Sequence, residues 1–234
     1  MITCSVWWAT PVDDTAAHRE LLTDVELDRF GAYVKPADRR RFLTGRVLAK
    51  TVVARHLGRP ARDVVFDASC DDCDKQHGPP RVPGSDLELS ISHSGERIGL
   101  ALTPGAKVGL DVEATTRRAD DGLLEYALSP AERSAVSGLA GADRAREFFR
   151  YWTGKEALMK ATGKGLRIPL TSLTLSAPGM PPRLVSSEDP ALAPDTARLA
   201  ALSPGEGYDA SVAVLTGEEL DVTENWWSPA ALGH

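Results

Sequence analysis

The chain has 234 residues, and its 27 Lys and Arg against 33 Asp and Glu leave a net charge of −6. That length allows one large domain or two of roughly a hundred residues each, and 42% hydrophobic with 26% charged residues excludes a disordered chain. The acid excess argues against a general nucleic-acid binder, no apolar run reaches the roughly eighteen residues of a membrane span, and an odd count of three cysteines argues against a disulfide framework and for the reducing cytoplasm.

Residues 2–9 alternate as a strand does, without the basic flank of a secretory signal. Ala17, Leu21, Leu22 and Val25 recur at helical spacing and predict a helix from Thr15 to Phe30, with Asp13 and Asp14 as cap candidates. Pro36-Ala37-Asp38 opens a second helix, which runs through Arg39-Arg40-Arg41 and Arg46 to Leu57 and stops at Gly58 and Pro60. Val64-Val65-Phe66 predicts a short strand, and residues 67–84 a loop. Strands are predicted over Leu87–Ser92 and Ile98–Leu102, with turn chemistry at Ser94-Gly95, and over Lys107–Glu113 after the Pro104-Gly105 break. A helix from Ser129, a long helix from Arg144 to Ala161, and strands near Leu173–Leu175 and Ala210–Val214 follow. The content is α+β in both halves, with a seam near Pro104–Ala106. Beyond Thr223 only Trp226-Trp227 give a signal, as packing groups.

Three segments carry chemistry. Strand residues two apart share a face, so Asp111 and Glu113 project together while Leu110 and Val112 face the other way. Two neighbouring carboxylates repel unless a cation or proton lies between them; the pattern reads equally as a solvated strand face or as half of a metal site. In the long helix Trp152, Glu156 and Lys160 stand four apart on one stripe, where Glu156 and Lys160 can pair. Lys155 faces about a hundred degrees away and is expected on the rim. The third segment, Ser90-Ile91-Ser92-His93-Ser94-Gly95, ends a strand with hydroxyls and an imidazole that can bond a phosphate. A Ser-His nucleophile is the weaker reading, because adjacent strand residues face opposite sides and the elbow sequence is missing. Neither Gly154-Lys155 nor Gly163-Lys164 has the spacing of a phosphate-binding P-loop.

In this order, Ser92-His93-Ser94, Gly109-Leu110-Asp111-Val112-Glu113 and Trp152-x-x-Lys155-Glu156-Ala157-x-x-Lys160-x-x-Gly163-Lys164-Gly165 resemble the Sfp-type 4′-phosphopantetheinyl transferases, and the Asp38–Arg46 helix resembles their basic N-terminal element. The resemblance implies two similar α+β halves related by a pseudo-twofold axis: residues 1–106, on the nucleotide side of coenzyme A, and residues 107–234, with the Mg²⁺ and catalytic groups. It implies transfer of 4′-phosphopantetheine from coenzyme A to a serine of an acyl or peptidyl carrier protein, with release of 3′,5′-ADP, in a cytoplasmic monomer that activates polyketide or nonribosomal peptide synthases. Carried over residue by residue, Asp111, Glu113 and Glu156 hold Mg²⁺, and Lys160 contacts the pyrophosphate or protonates the leaving phosphate. Arg41, Ser92 and His93 bind the 3′-phosphate end of coenzyme A, and Arg46 is a further cofactor-binding residue near its phosphates. Three acids on a hard cation suit an ion that also takes phosphate oxygens.

The base that takes the serine proton is Glu156 or Glu132. Glu132 also has a structural reading, because Ser129-Pro130-Ala131-Glu132 is a capping box with proline at the first helical position. Two departures stand out. His77-Gly78-Pro79-Pro80-Arg81 has proline where the family often has a nucleotide-contacting basic residue, so that contact falls to Arg81 or Lys75 or is lost, and Phe42 replaces a small hydroxyl residue. Cys70 and Cys73 with His77 suggest a zinc knuckle without a clear fourth ligand. Arg117, Arg118, Arg133 and Arg150 are candidates for attracting an acidic carrier. The rival readings are a non-catalytic coenzyme A or carrier-binding module and a zinc-stabilised interaction domain.

Overall fold

The computed structural model describes residues 1–69, 78–116, 119–164 and 167–229. Strand β1 (Ile2–Ala9) is followed by two short helices, α1 (Ala16–Arg19) and α2 (Asp24–Ala32), where one helix was expected. The interruption is chemical. Thr15 caps α1, and Thr23 with Glu26 forms a reciprocal capping box that starts the chain afresh at Asp24. Helix α3 (Pro36–Leu57) begins on proline and ends at Gly58, whose φ of 64° is the left-handed stop glycine permits. Val64–Phe66 forms no strand; among the described residues the pairing nearest to it is an isolated bridge, Asp67 to Arg81.

Strands β2 (Leu87–Ser94), β3 (Arg97–Pro104) and β4 (Val108–Ala114) follow close to their expected places. Helices α4 (Asp121–Ala127), α5 (Pro130–Val136) and α6 (Gly141–Thr162) and strands β5 (Leu173–Leu175), β6 (Leu184–Ser187), β7 (Ala197–Leu202), β8 (Tyr208–Leu215) and β9 (Leu220–Trp226) complete the chain. One sheet has the order β2-β3-β1-β9 and another the order β4-β8-β7, so β2 and β4 are edges of different sheets. The last strand returns to the first sheet: β9 pairs in parallel with β1, Ile2 opposite Leu220 and Trp8 opposite Trp226. A division at residue 106 therefore assigns β9 to one half by sequence and to the other by hydrogen bonding.

Three clusters form the core. Helix α3 packs Leu43, Val47 and Val53 against Leu89, Ile98 and Leu100, and α6 packs Phe148, Leu158 and Met159 against Leu173, Leu175 and Ala213. The third cluster joins the sheets, with Val6 and Trp8 from β1 meeting Leu110, Val112 and Val212 from β4 and β8. Burying these apolar faces, at about 25 cal/mol per Å², holds the two sheets against each other. Among the described residues no helix is long and apolar enough to cross a membrane.

Candidate active site

The site lies where β2, β4 and α6 meet. Strand β4 can approach α6 because of Gly109: a Cβ there would sit 1.9 Å from the Ala157 carbonyl oxygen and 2.5 Å from the Ala161 nitrogen. Only glycine allows the strand to lie against the helix backbone. Two residues further on, Asp111 is thus brought against the last turns of α6. Lys160 Nζ reaches across to it, donating to Asp111 Oδ1 at 2.7 Å, to Ser92 Oγ at 3.0 Å and to the Leu110 carbonyl at 3.1 Å. The i,i+4 partner expected for Lys160, Glu156, loses it to this cross-element ion pair.

Asp111 is buried, and its Oδ2 has no hydrogen-bond partner. Burial pushes its carboxyl above the ordinary aspartate range, with the Lys160 charge and the Ser92 hydroxyl opposing. Glu156 is half-buried, and its carboxyl is also raised, first by desolvation, then by the Asp111 and, less, the Glu113 negative charges, with Lys160 opposing. Glu113 accepts from Ser94 Oγ at 2.8 Å. The three acids therefore share one electrostatic neighbourhood. As placed, no three His, Cys, Asp or Glu side chains among the described residues stand in position to hold a metal ion. The donor set nonetheless fits Mg²⁺, which takes one or two carboxylates and completes its shell with water and substrate phosphate. The orphaned Oδ2 is the atom such an ion would satisfy.

A groove runs along the seam past Lys160. One end is lined by Arg41, Phe42, Arg46 and His93, the next stretch by Pro80, Ile91, Val108 and Lys160, and the far end by Arg81, Lys107, Lys164 and Arg167. Arg46 is held by Glu26 at 3.7 Å and stacks over Phe42 and Phe66; its Nη1 is buried without a partner. Arg41 donates to the Gly95 carbonyl at 3.1 Å and pairs with Asp38. His93 is pushed below the ordinary histidine value by desolvation and then by the Arg41 charge, with Lys160 adding less. Arg39 and Arg40 turn elsewhere, bonding the carbonyls of Tyr33 and of Pro11 and Val12.

One residue lies where the motif spacing does not put it. Lys155 is fully buried rather than on the rim, donating to Glu132 Oε2 at 2.5 Å, to the Ala127 carbonyl at 2.7 Å and to the Leu170 carbonyl at 2.9 Å. Glu132 is its counterion. It completes the capping box of α5 through Ser129 N–H and also accepts from Leu175 N–H, so both oxygens are used. At 1% exposure it holds α5, α6 and β5 together and presents no oxygen to the groove. Ser92 also differs from expectation, because its hydroxyl is engaged on β4 and Lys160. Gly109 was missed as a functional position, although it stands inside the Gly109–Glu113 motif. The candidate zinc ligands Cys70, Cys73 and His77, and also Lys75, Arg117, Arg118 and Gly165, lie outside the described residues.

A basic groove that passes Lys160, itself paired with the buried Asp111, suits group transfer from a phosphate-bearing substrate. The model of the 4′-phosphopantetheinyl transferase superfamily matches residues 107–210. The chain is 30% identical over 168 residues to the 4′-phosphopantetheinyl transferase HetI of Nostoc sp., covering 68% of each. It is 29% identical over 170 residues to the 4′-phosphopantetheinyl transferase Sfp of Bacillus subtilis, covering 66% of this chain and 71% of that one. A crystal structure of a holo-(acyl-carrier-protein) synthase from Bacillus anthracis in complex with CoA (3′,5′-ADP) matches 48% of this chain and 96% of its own, at TM-score 0.41 and 20% identity. The chain belongs to the 4′-phosphopantetheinyl transferase family and is an enzyme of that class.

Proposed function

We propose that this enzyme moves 4′-phosphopantetheine from coenzyme A to a serine of an apo acyl or peptidyl carrier protein, with Mg²⁺, releasing 3′,5′-ADP. The observation that carries the reading is the buried, unpartnered Asp111 Oδ2 in the electrostatic neighbourhood of Glu113 and Glu156 and paired through Oδ1 with Lys160, which lines the basic groove. In this reading Arg41, Arg46 and His93 hold the nucleotide phosphates, Arg81 lines the groove, and the halves 1–106 and 107–234 meet at the pyrophosphate. Asp111, Glu113 and Glu156 would hold the ion, which when bound neutralises charge on the pyrophosphate and polarises the phosphorus. Lys160 supplies a fixed cation at the leaving phosphate. The carrier serine oxygen forms its bond to the phosphorus next to pantetheine, while that phosphorus parts from the bridging oxygen of 3′,5′-ADP. Glu156, with its raised carboxyl, takes the serine proton directly or through a water; the buried Glu132 is the weaker candidate.

Polyketide and nonribosomal peptide synthases are the proposed clients, served by a cytoplasmic monomer. Incubation with apo carrier proteins, coenzyme A and Mg²⁺ should add the phosphopantetheine mass to a carrier serine. No mass shift across carriers of the acyl and peptidyl classes would refute the proposal. A non-catalytic binding module would bind coenzyme A with no response to Mg²⁺.

A further inference from the structure

Ser90, Ser92 and Ser94 stand two apart on β2 and so share a face. Their hydroxyls form a ladder to the neighbouring sheet's edge. Ser90 Oγ accepts from Leu110 N–H at 3.0 Å, Ser92 Oγ from Val112 N–H at 3.3 Å, and Ser94 Oγ from Ala114 N–H at 3.1 Å. Strands β2 and β4 belong to different sheets, so side chains do here what backbone carbonyls do within a sheet. The ladder is not uniform. Ser92 also donates to Asp111 Oδ1 at 3.1 Å, and Ser94 to Glu113 Oε2 at 2.8 Å, whereas Ser90 touches no carboxylate among the described residues.

A serine hydroxyl has one proton to donate and two lone pairs with which to accept. Ser92 spends the proton on Asp111 and the lone pairs on Val112 N–H and Lys160 Nζ. Nothing is left for a phosphate oxygen. What the arrangement does instead is fix the Asp111 carboxylate: Oδ1 is held by Ser92 and Lys160, and Oδ2 is left as the open atom. We propose that Ser92 and Ser94 are positioning residues that lock Asp111 and Glu113 for the metal, and that Ser92 is not a phosphate ligand. This rests on the metal reading above. It also means that the strand carrying His93 on its groove face orients, with its other face, the acids of the opposite half.

The test is direct metal binding by the full chain with coenzyme A present, using Mn²⁺ and following the free ion by electron paramagnetic resonance. Ser92→Ala and Ser94→Ala should each weaken Mn²⁺ about tenfold or more, the range for removing a hydrogen bond to a metal-bound carboxylate. Ser92→Ala should leave KM for coenzyme A near wild type. Ser90→Ala, which removes the same kind of cross-sheet bond but no carboxylate contact, should bind Mn²⁺ as wild type does, and thermal melts confirm that each variant is folded. If Ser92→Ala keeps its Mn²⁺ affinity and raises KM for coenzyme A, the hydroxyl serves a phosphate and the inference is overturned. It is overturned too if Ser90→Ala weakens the metal equally, since general loosening then explains the effect. If the wild-type chain takes up no Mn²⁺, the metal reading itself falls, and the positioning role with it. Should Ser92→Ala not fold, Ser94→Ala, on a half-exposed residue at the end of the strand, carries the same comparison.

Discussion

Gly109→Ala is the most severe test of how the site is assembled. The added methyl would sit 1.9 Å from the Ala157 carbonyl oxygen and 2.5 Å from the Ala161 nitrogen, where real Cβ atoms essentially never come nearer than 3.0 Å. Both clashing atoms are backbone, so no rotamer change relieves them; β4 and α6 must part by about 1 Å. Ala157 follows Glu156, Ala161 follows Lys160, and Gly109 precedes Asp111 by two residues, so the separation opens between the strand's Asp111 and Glu113 and the helix's Glu156 and Lys160. Overpacking of this kind costs about 1–3 kcal/mol or more, and a displacement of about 1 Å can cost on the order of 100-fold in rate. Gly138→Ala is the control, because nothing lies within 4 Å of a Cβ there. Thermal melts and transfer rates on an apo carrier should show Gly109→Ala several degrees less stable and about 100-fold slower, with Gly138→Ala near wild type. A Gly109→Ala enzyme with wild-type melting temperature and rate would show that the β4–α6 approach is not what positions Asp111.

Further outcomes follow from the same geometry. Lys155→Met leaves the Glu132 charge buried without its cation and should cost about 3–5 kcal/mol, part of it regained on adding Glu132→Gln; a Glu132→Gln enzyme that melts as wild type but has lost its turnover would instead make Glu132 catalytic. Arg46→Ala should raise KM for coenzyme A about tenfold with kcat little changed, whereas Lys160→Ala should lower kcat about 100-fold, measured by steady-state kinetics on each variant. The Asp209 carboxyl is pushed up to about 6, chiefly by burial, so the folded chain keeps a proton that the unfolded chain releases near 4. Stability from that proton is complete below about pH 4 and is lost as pH rises through about 6. Asp209→Asn should therefore melt about 2–6 °C above wild type at pH 8, a gain of about 1–2 kcal/mol, with the gap closing toward pH 4; a gap that does not shrink on acidification would refute the assignment.

The periodic parts of this molecule were legible before the structure. Period two put Asp111 and Glu113 on one face, and period 3.6 put Trp152, Glu156 and Lys160 on one stripe; all but Trp152 now share one neighbourhood. What periodicity cannot say is what covers a face. Lys155 has a direction on the helical wheel, but only the docking of α5 and the chain near Leu170 turns that direction into burial. Likewise the choice of Lys160 for Asp111 over Glu156 depends on how closely β4 approaches. The break between α1 and α2 is encoded in Thr23-x-x-Glu26, a local capping signal that apolar spacing does not register. Strand β9 gave no signal because it is an edge strand whose residues are mostly exposed, and its pairing is with the opposite end of the chain.

The acids of β4 are fixed from two sides by unrelated means. On one side α6 lies close because residue 109 has no side chain; on the other β2 is joined by hydroxyls that happen to alternate with the strand. Loss of the first constraint moves backbone, and therefore shifts Asp111 away from Glu156 and Lys160 together. Loss of the second leaves the backbone in place and frees only the carboxylates to rotate. The two classes of variant should therefore separate cleanly: Gly109→Ala should impair stability, metal binding and turnover in concert, while Ser94→Ala should weaken metal binding with the fold intact. The same logic explains how a chain with a net charge of −6 can serve a polyanionic substrate. Arg39 and Arg40 are engaged with carbonyls away from the groove, Arg41 and Arg46 are kept in it, and in the proposed reading the Asp111, Glu113 and Glu156 charges are the ones a cation would offset.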